Sequence, residues 1–181
     1  MSIGESESDR RSRFEELARE LIDPLRRYLA RRTDPATADD VLSDTLIVCW
    51  RRLDDVPENP LPWAYGVARN CLANAQRGER RRERLTAKLS VVAPPVETAP
   101  GPGDRDDELL EAMAALRPED AELLRLWAWE QLTPAEVATV LQISANAASI
   151  RLHRAHRKLG DELRKIQRHP GHERSREGSG S

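Results

Sequence analysis

The chain has 181 residues, of which 39% are hydrophobic, only 4% aromatic and 33% charged, and its formal net charge is −2. This length suits one ordinary domain or two small ones, and the scarcity of aromatic residues favours helical cores over a β-sandwich. No apolar run approaches the ~20 residues that span a bilayer, and residues 1–13 lack the apolar core of a secretory signal. We therefore expect a cytoplasmic protein that does not insert into membranes.

Two amphipathic helices are predicted at the start of the chain. Apolar residues three and four apart predict a helix over 10–33, kinked where Pro24 removes a backbone donor. Asp34 followed by Pro35 predicts the start of a second helix, which extends to about residue 53. Its apolar stripe is predicted to contain Ala38, Leu42, Leu46, Cys49 and Leu53. Its other face is predicted to contain Asp40, Ser43, Asp44 and Ile47.

A proline-rich loop at 54–62, which includes Asn59, precedes a third helix predicted over 63–85. The later turns of this helix carry Arg77, Arg80, Arg81, Arg82 and Arg84. Aromatic side chains beside a basic groove suit the stacking of unpaired bases, with arginines on the nucleic-acid backbone. Trp63 and Tyr65 have that position, although the alternative is that both are core residues.

The composition changes near the middle of the chain. Six proline and glycine residues fall within 91–103, which predicts a flexible linker over 90–106. Two domains, 10–89 and 107–168, would lie on either side of it. The tail 169–181 is rich in Gly, Ser, Arg and Glu, and we expect it to be disordered.

The second domain is predicted to end in a helix-turn-helix. The pattern predicts four short helices, at 107–116, 118–130, 133–141 and 144–168. Thr133 with Glu136 forms a capping-box pattern, and Ser144 can cap the last helix. The face predicted to meet a partner contains Ala145, Asn146, Ser149, Ile150, His153, Arg154 and Arg157. Such helix pairs also occur as plain bundle elements, but here they complete an all-α fold of two small helical domains.

The charged residues are segregated along the chain. Acidic residues cluster at 34–55 and 104–111, whereas Arg and Lys dominate 69–88 and 151–168. This segregation indicates separate surfaces for a basic and an acidic partner. For any single run, the alternative is an ordinary solvated helix surface.

Catalytic and metal sites are not indicated. The sequence has no GxSxG, no phosphate-cradling glycine loop and no HExxH, so we expect neither an enzyme nor a cofactor. His153 and His156 share a helical face without a third ligand nearby, which favours solvent-facing or phosphate-facing side chains over a metal pair. Cys49 and Cys71 lie in apolar helical patterns, so we interpret them as buried thiols rather than as a disulfide or metal ligands.

Several blocks of sequence match a known family: ADDVLSDTL at 38–46, WAYGVARN at 63–70, EQLTPAEVA at 130–138 and IRLHRA at 150–155. In this order, with a linker between the second and third, they resemble the extracytoplasmic-function (ECF) sigma factors. These are the two-domain branch of the sigma-70 family, and the resemblance covers about residues 14–163. The domains 10–89 and 107–168 would then be sigma regions 2 and 4.

The resemblance implies an alternative sigma factor that binds core RNA polymerase at its clamp coiled coil and flap and directs it to promoter DNA. It also implies an anti-sigma factor as regulator. Core-polymerase binding is expected of Asp39, Asp40, Asp44, Ile47 and Arg51. Melting and binding of the minus-ten element is expected of Asn59, Trp63, Tyr65, Arg69, Asn70, Arg77, Arg80 and Arg81. Binding of the minus-thirty-five element is expected of Thr133, Ser144, Asn146, Ser149, Ile150, Arg151, His153, Arg154 and Arg157.

The chain also departs from the family pattern. Ser43 stands where the family usually has glutamine, Leu46 where phenylalanine is common, and Gly66 where arginine is frequent. Gln142 replaces the usual turn glycine, which would cost about 1 kcal/mol if that residue has a positive φ. Because residues 147–149 replace a bulkier helix start, the base preference at the minus-thirty-five element does not carry over.

A second class of protein remains open. A helix-turn-helix transcriptional regulator could carry an amino-terminal sensor or partner-binding bundle in place of a polymerase-binding domain. A sensor bundle has no reason to combine the block at 63–70 with the arginine run that follows it. The first domain therefore favours the sigma factor.

Overall fold

The computed structural model describes residues 7–86 and 104–168. Within these ranges every regular element is helical and there is no strand, which confirms the predicted all-α fold. The α-helices are α1 (Glu7–Ala30), α2 (Pro35–Arg51), α3 (Pro60–Thr86), α4 (Asp104–Ala114), α5 (Pro118–Ala128), α6 (Pro134–Leu141) and α7 (Ala145–Arg168). A single 3-10 turn, Leu53–Asp55, lies between α2 and α3.

The described helices fall into two compact units. The first contains α1, α2 and α3 together with residues 138–143, and the second contains α4, α5, α7 and α6 up to Val137. The predicted second domain, 107–168, contains all of α6, whereas the two compact units divide this helix. The domain limits given by the sequence therefore stay a prediction. The linker predicted over 90–106 lies outside the described residues except at its end, where α4 begins at Asp104, three residues earlier than predicted. The predicted disordered tail also lies outside them.

The first unit is a three-helix bundle in which α1 packs on α2 and α3, and α2 packs on α3. Helix α1 contributes the largest buried side chains, Leu21, Leu25, Tyr28 and Leu29. It runs as one continuous helix through Pro24, and the kink predicted there stays a prediction. Packing on two neighbouring helices can hold this segment helical despite the missing donor.

The start of α2 agrees with its prediction. Asp34 caps it: the carboxylate oxygen Oδ1 accepts a hydrogen bond from the Thr37 amide at 3.0 Å, and Pro35 occupies the first helical position. This bond favours the ionised form, so the pKa of the Asp34 carboxyl lies below its usual value.

The start of α3 differs from its prediction. The helix begins at Pro60, inside the predicted loop, with Pro62 in its first turn. Amides in the first turn of a helix have no intrahelical acceptor, so prolines are tolerated there. The proline-rich stretch is therefore partly a helix start rather than entirely a loop.

In the second unit α4 and α5 pack against α7. The predicted capping box precedes α6: the Thr133 amide donates to Glu136 Oε2 at 2.8 Å, and the Glu136 amide donates to Thr133 Oγ1 at 3.3 Å. Ser144 Oγ accepts from the Ala147 amide at 3.1 Å and caps α7. Both predicted caps are therefore confirmed.

The turn between α6 and α7 contains Gln142 at φ 55°. This is the left-handed region, in which a residue with a Cβ is strained, so the sequence expectation of a cost at this position is confirmed. We expect Gln142→Gly to raise the free energy of unfolding by ~0.5–1 kcal/mol. Gln142→Ala keeps the Cβ and should give no such gain. Denaturant unfolding of the three proteins checks this, and equal stability of all three would contradict it.

Candidate functional site

Helix α2 has one buried and one exposed face. The buried face consists of Ala38, Val41, Leu42, Thr45 and Cys49. The exposed face carries Asp40, Asp44, Ile47 and Arg51, whose spacing of four, three and four residues places them in one row. Asp39 is exposed beside this row, and Ile47 leaves 47% of its surface accessible. The predicted polymerase-binding residues are thus together on one surface, named the acidic face from here on.

Both cysteines of the first unit are free thiols. Cys49 is buried and Cys71 is half-buried. Burial raises the pKa of the Cys49 thiol to about 11 and also raises the pKa of Cys71. Protonated thiols are poor nucleophiles and poor ligands, so the interpretation as structural thiols stands.

Helix α3 presents a row of polar and aromatic side chains. Trp63, Asn70, Arg77 and Arg84 recur every seven residues and therefore lie in one stripe. Trp63 is half-buried, and the guanidinium of Arg52 lies 5.7 Å from its ring. Arg69 and Asn70 are exposed next to each other. Within the described residues neither of them has a hydrogen-bond or ion-pair partner, so both side chains can meet an external ligand.

Tyr65 is a correction to the predicted minus-ten set. Only 3% of its surface is accessible, and its ring lies 5.0 Å from that of Tyr28 in the bundle core. Positions two apart on a helix point in different directions, so Trp63 and Tyr65 do not share a face. The core alternative is the one that the structure supports for Tyr65.

The last turns of α3 are strongly basic. Arg77 donates to Asn74, and Arg82 pairs with Glu79 at 3.9 Å on the same helix. Arg80, Arg81 and Arg84 are exposed and make no ion pair with any residue in the described part of the chain. Guanidinium groups of this kind are suited to phosphate binding.

Helix α7 separates a buried row from an exposed one. The buried row contains Ala148, Leu152 and Ala155. The exposed residues include Ala145, Asn146, Ser149, Ile150, Arg151, His153, Arg154 and Arg157. Every residue of the predicted recognition surface is therefore accessible, with small side chains at the amino-terminal end and basic ones beyond. This row is named the recognition face.

Two predicted DNA-binding residues also have a structural role. Thr133 and Ser144, both predicted to bind DNA, are engaged in capping α6 and α7.

His156 does not share the surroundings of His153: its ring lies 4.5 Å from Trp127 at right angles, and its Nδ1 donates to the Leu152 carbonyl at 3.0 Å. Among the described residues no group of three or more His, Cys, Asp or Glu could hold a metal ion.

Sequence reasoning missed an apolar groove in the second unit. A cavity of about 90 Å³ is lined by side chains of α4, α5 and α7, with Trp127 and Trp129 at 45% and 38% exposure. Leu109 and Leu110 of α4 are also exposed. Exposed apolar patches of this kind are typical of protein–protein contacts. The sequence feature that could have indicated this groove is the apolar pattern of α5, which is wider than a single buried face requires.

No helix in ranges 7–86 and 104–168 has the length and apolar character needed to cross a membrane.

The chain matches two family descriptions. Residues 14–82 match Sigma-70 region 2, and residues 106–159 match Sigma-70, region 4. Neither is a catalytic family. In solved structures, RpoE in complex with the anti-sigma factor NepR from Bartonella quintana has a TM-score of 0.61 at 19% identity, covering 83% of this chain and 96% of RpoE. CnrH in complex with the cytosolic domain of CnrY has a TM-score of 0.57 at 23% identity, covering 84% and 88%. At these identities the likeness concerns the fold.

Curated relatives match most of the chain. The "ECF RNA polymerase sigma factor SigL" of Mycobacterium tuberculosis is 30% identical over 139 residues, which cover 74% of this chain and 78% of SigL. The "RNA polymerase sigma-E factor" of Streptomyces avermitilis is 29% identical over 153 residues, 83% of this chain and 84% of that one. "Probable RNA polymerase sigma factor RfaY" of Xanthomonas campestris is longer, and the chain spans 36% of its length at 29% identity. With both regions present in order, the chain belongs to the sigma-70 family and, within it, to the ECF sigma factors.

Proposed function

We propose that the three exposed surfaces divide the work of an alternative sigma factor, which directs core RNA polymerase to promoters. The acidic face of α2 binds the polymerase clamp, the exposed row of α3 opens and holds the minus-ten element, and the recognition face of α7 binds the minus-thirty-five element. One observation carries most weight. Within the described residues, the first unit presents an acidic row that makes no internal ion pair and, on the next helix, an aromatic residue, an amide and three arginines, Arg80, Arg81 and Arg84, without an internal ion pair.

The α3 row has the chemistry for holding separated strands. Flipping a base out of the duplex costs a few kcal/mol, and that cost must be met by contacts that only the flipped base can make. Asn70 can donate to and accept from a base edge, and the exposed part of Trp63 can stack on a base. Arg80, Arg81 and Arg84 lie about three to four turns beyond Asn70, where they can neutralise phosphates.

The recognition face has the form that fits a major groove. Ala145, Asn146 and Ser149 are short enough for the start of α7 to approach the base edges closely, and Arg154 and Arg157 can reach bases or flanking phosphates. Polymerase supplies the chemistry, so this chain needs no catalytic residue and is not itself an enzyme. It acts in the cytoplasm, where polymerase and promoter DNA are found.

Protein partners have one further surface available. The flap of polymerase remains a predicted partner, and the apolar groove around Trp127 and Trp129 has the chemistry to bind it. RpoE and CnrH are each seen with a protein partner, NepR and CnrY. We therefore infer that an anti-sigma factor regulates this chain by covering its binding surfaces.

The recognition face is tested by Arg154→Ala. We expect this change to weaken binding of the holoenzyme to a minus-thirty-five duplex by ~1–3 kcal/mol if Arg154 contacts a base edge. Arg164→Ala is the matched control, because Arg164 is an exposed arginine of the same helix that pairs with Asp161. Fluorescence anisotropy at physiological salt measures both. If Arg154→Ala binds like the control, α7 does not recognise the element through this residue.

The function as a whole is tested by transcription with sigma-free core polymerase on a promoter library. Transcripts that start at defined positions only when the chain is added support it. An ordinary helix-turn-helix regulator would bind duplex DNA but would give no specific start with core polymerase alone.

A further inference from the structure

The first turns of α1 hold the connection between α2 and α3. Arg10 Nη1 lies 3.3 Å from Asp54 Oδ2, and Arg10 Nη2 donates to the Trp50 carbonyl at 3.0 Å. Arg13 Nη1 lies 3.5 Å from Asp54 Oδ1, and Arg13 Nη2 donates to the Leu53 carbonyl at 3.5 Å. Two arginines of one helix thus grip a carboxylate and two backbone carbonyls that lie some forty residues further along the chain.

Aromatic contacts reinforce this grip. The Arg10 guanidinium lies 5.2 Å from the centre of the Trp50 ring, and the edge of Phe14 meets the same ring at 5.3 Å. Other arginines of α1 do not take part: Arg11 and Arg19 pair with Glu15 on their own helix. Among the arginines of α1, the contacts to the connection therefore come from Arg10 and Arg13, which are named the α1 arginine pair below.

The connection held by the α1 arginine pair leads directly to the proposed minus-ten surface. The 3-10 turn Leu53–Asp55 is followed by residues 56–59, and α3 then begins at Pro60. Arg52 joins the two ends, because its Nε lies 3.1 Å from Asp55 Oδ2 and its guanidinium lies 5.7 Å from the Trp63 ring. A displacement of the 3-10 turn would therefore be passed on to both Asn59 and Trp63.

We propose that Arg10 and Arg13 are positioning residues for minus-ten recognition: they fix the 3-10 turn, and through it the loop 56–59 and the start of α3. The proposal rests on the proposed function. Its physical basis is that a binding loop held in place before its ligand arrives loses less conformational entropy on binding. Groups that capture a flipped base must also be held to within a fraction of an ångström by their supporting shell.

The experiment uses the full chain assembled with core polymerase. Arg10→Ala combined with Arg13→Ala should weaken binding of a single-stranded minus-ten oligonucleotide roughly fivefold to tenfold. Holoenzyme formation should not change. The matched control is Arg11→Ala combined with Arg19→Ala, which removes two arginines from the same helix and should bind the oligonucleotide like wild type. Arg13→Lys, which keeps the ion pair with Asp54, should retain most of the affinity.

Amide hydrogen exchange distinguishes positioning from a general loss of stability. The variant with Arg10→Ala and Arg13→Ala should exchange faster over residues 53–59 while the buried amides of α3 keep their protection. A destabilised bundle would instead exchange faster throughout. Unchanged oligonucleotide affinity, or faster exchange in the whole bundle, would overturn the proposal. Wild-type holoenzyme that fails to bind the oligonucleotide would instead contradict the proposed function itself.

Discussion

Asp40→Lys combined with Asp44→Lys is expected to abolish binding to core RNA polymerase and leave the helical bundle folded. Both carboxylates are exposed on the acidic face, and neither makes a hydrogen bond or ion pair within the described residues. Their reversal therefore breaks no internal hydrogen bond or ion pair, and exposed substitutions of this kind usually change stability by less than ~0.5 kcal/mol. Against a basic partner, however, each attraction becomes a repulsion.

The expected effect is large because two like-charge contacts replace two opposite-charge ones in a desolvated interface. Such a reversal costs several kcal/mol, which corresponds to roughly a hundredfold or more in affinity. Native gel shift or pull-down with core polymerase measures the binding, and circular dichroism checks the fold.

A matched control comes from α1. Glu16 and Glu20 are also exposed and also four residues apart, but they lie on a helix outside the proposed interface. Glu16→Lys combined with Glu20→Lys makes the same change in net charge and should bind polymerase normally. Equal loss of polymerase binding in both variants would indicate a general charge effect. If the α2 variant binds polymerase like wild type, the acidic face of α2 does not bind the polymerase clamp.

Helix caps were the features most accessible from the sequence. Asp34 with Pro35, and Thr133 with Glu136, are local signals whose hydrogen bonds join residues three apart, so no tertiary information is needed to identify them. The positive φ of Gln142 was expected for a different reason, because the resemblance supplied a glycine at that position. Local chemistry and family likeness thus covered the framework of the fold.

Tertiary contacts were not accessible in the same way. The contact between Arg10 and Asp54 joins residues 44 apart, and nothing in the spacing of either residue indicates it. Tyr65 was assigned to DNA because it follows Trp63 in a recognised block, although a helix turns the two side chains to different faces. Thr45 is buried in the bundle because its hydroxyl donates to the Val41 carbonyl at 2.7 Å, a partner that hydropathy alone does not reveal.

The sharpest test of strand opening is Asn70→Ala. Asn70 is exposed beside Arg69 on α3, and it has no hydrogen-bond partner among the described residues, so its removal should not affect the fold or the binding to core polymerase. An amide that pairs with a flipped base contributes ~1–3 kcal/mol, so the population of open promoter should fall roughly tenfold to hundredfold. Permanganate reactivity of thymines near the start site measures this opening directly.

Gln76 supplies the matched control for this experiment. It is another exposed amide on α3, six residues further on and therefore on a different side of the helix. Gln76→Ala should leave thymine reactivity at the wild-type level, because Gln76 lies on a different side of α3 from Asn70 and is not among the residues assigned to the minus-ten element. If Asn70→Ala opens promoters like Gln76→Ala, the amide does not hold the flipped base, and the aromatic and basic side chains of α3 must suffice. If wild-type chain and core polymerase bind the duplex but never produce reactive thymines, strand opening does not belong to this protein. The helix-turn-helix would then be that of an ordinary regulator, since duplex binding by α7 requires no melting.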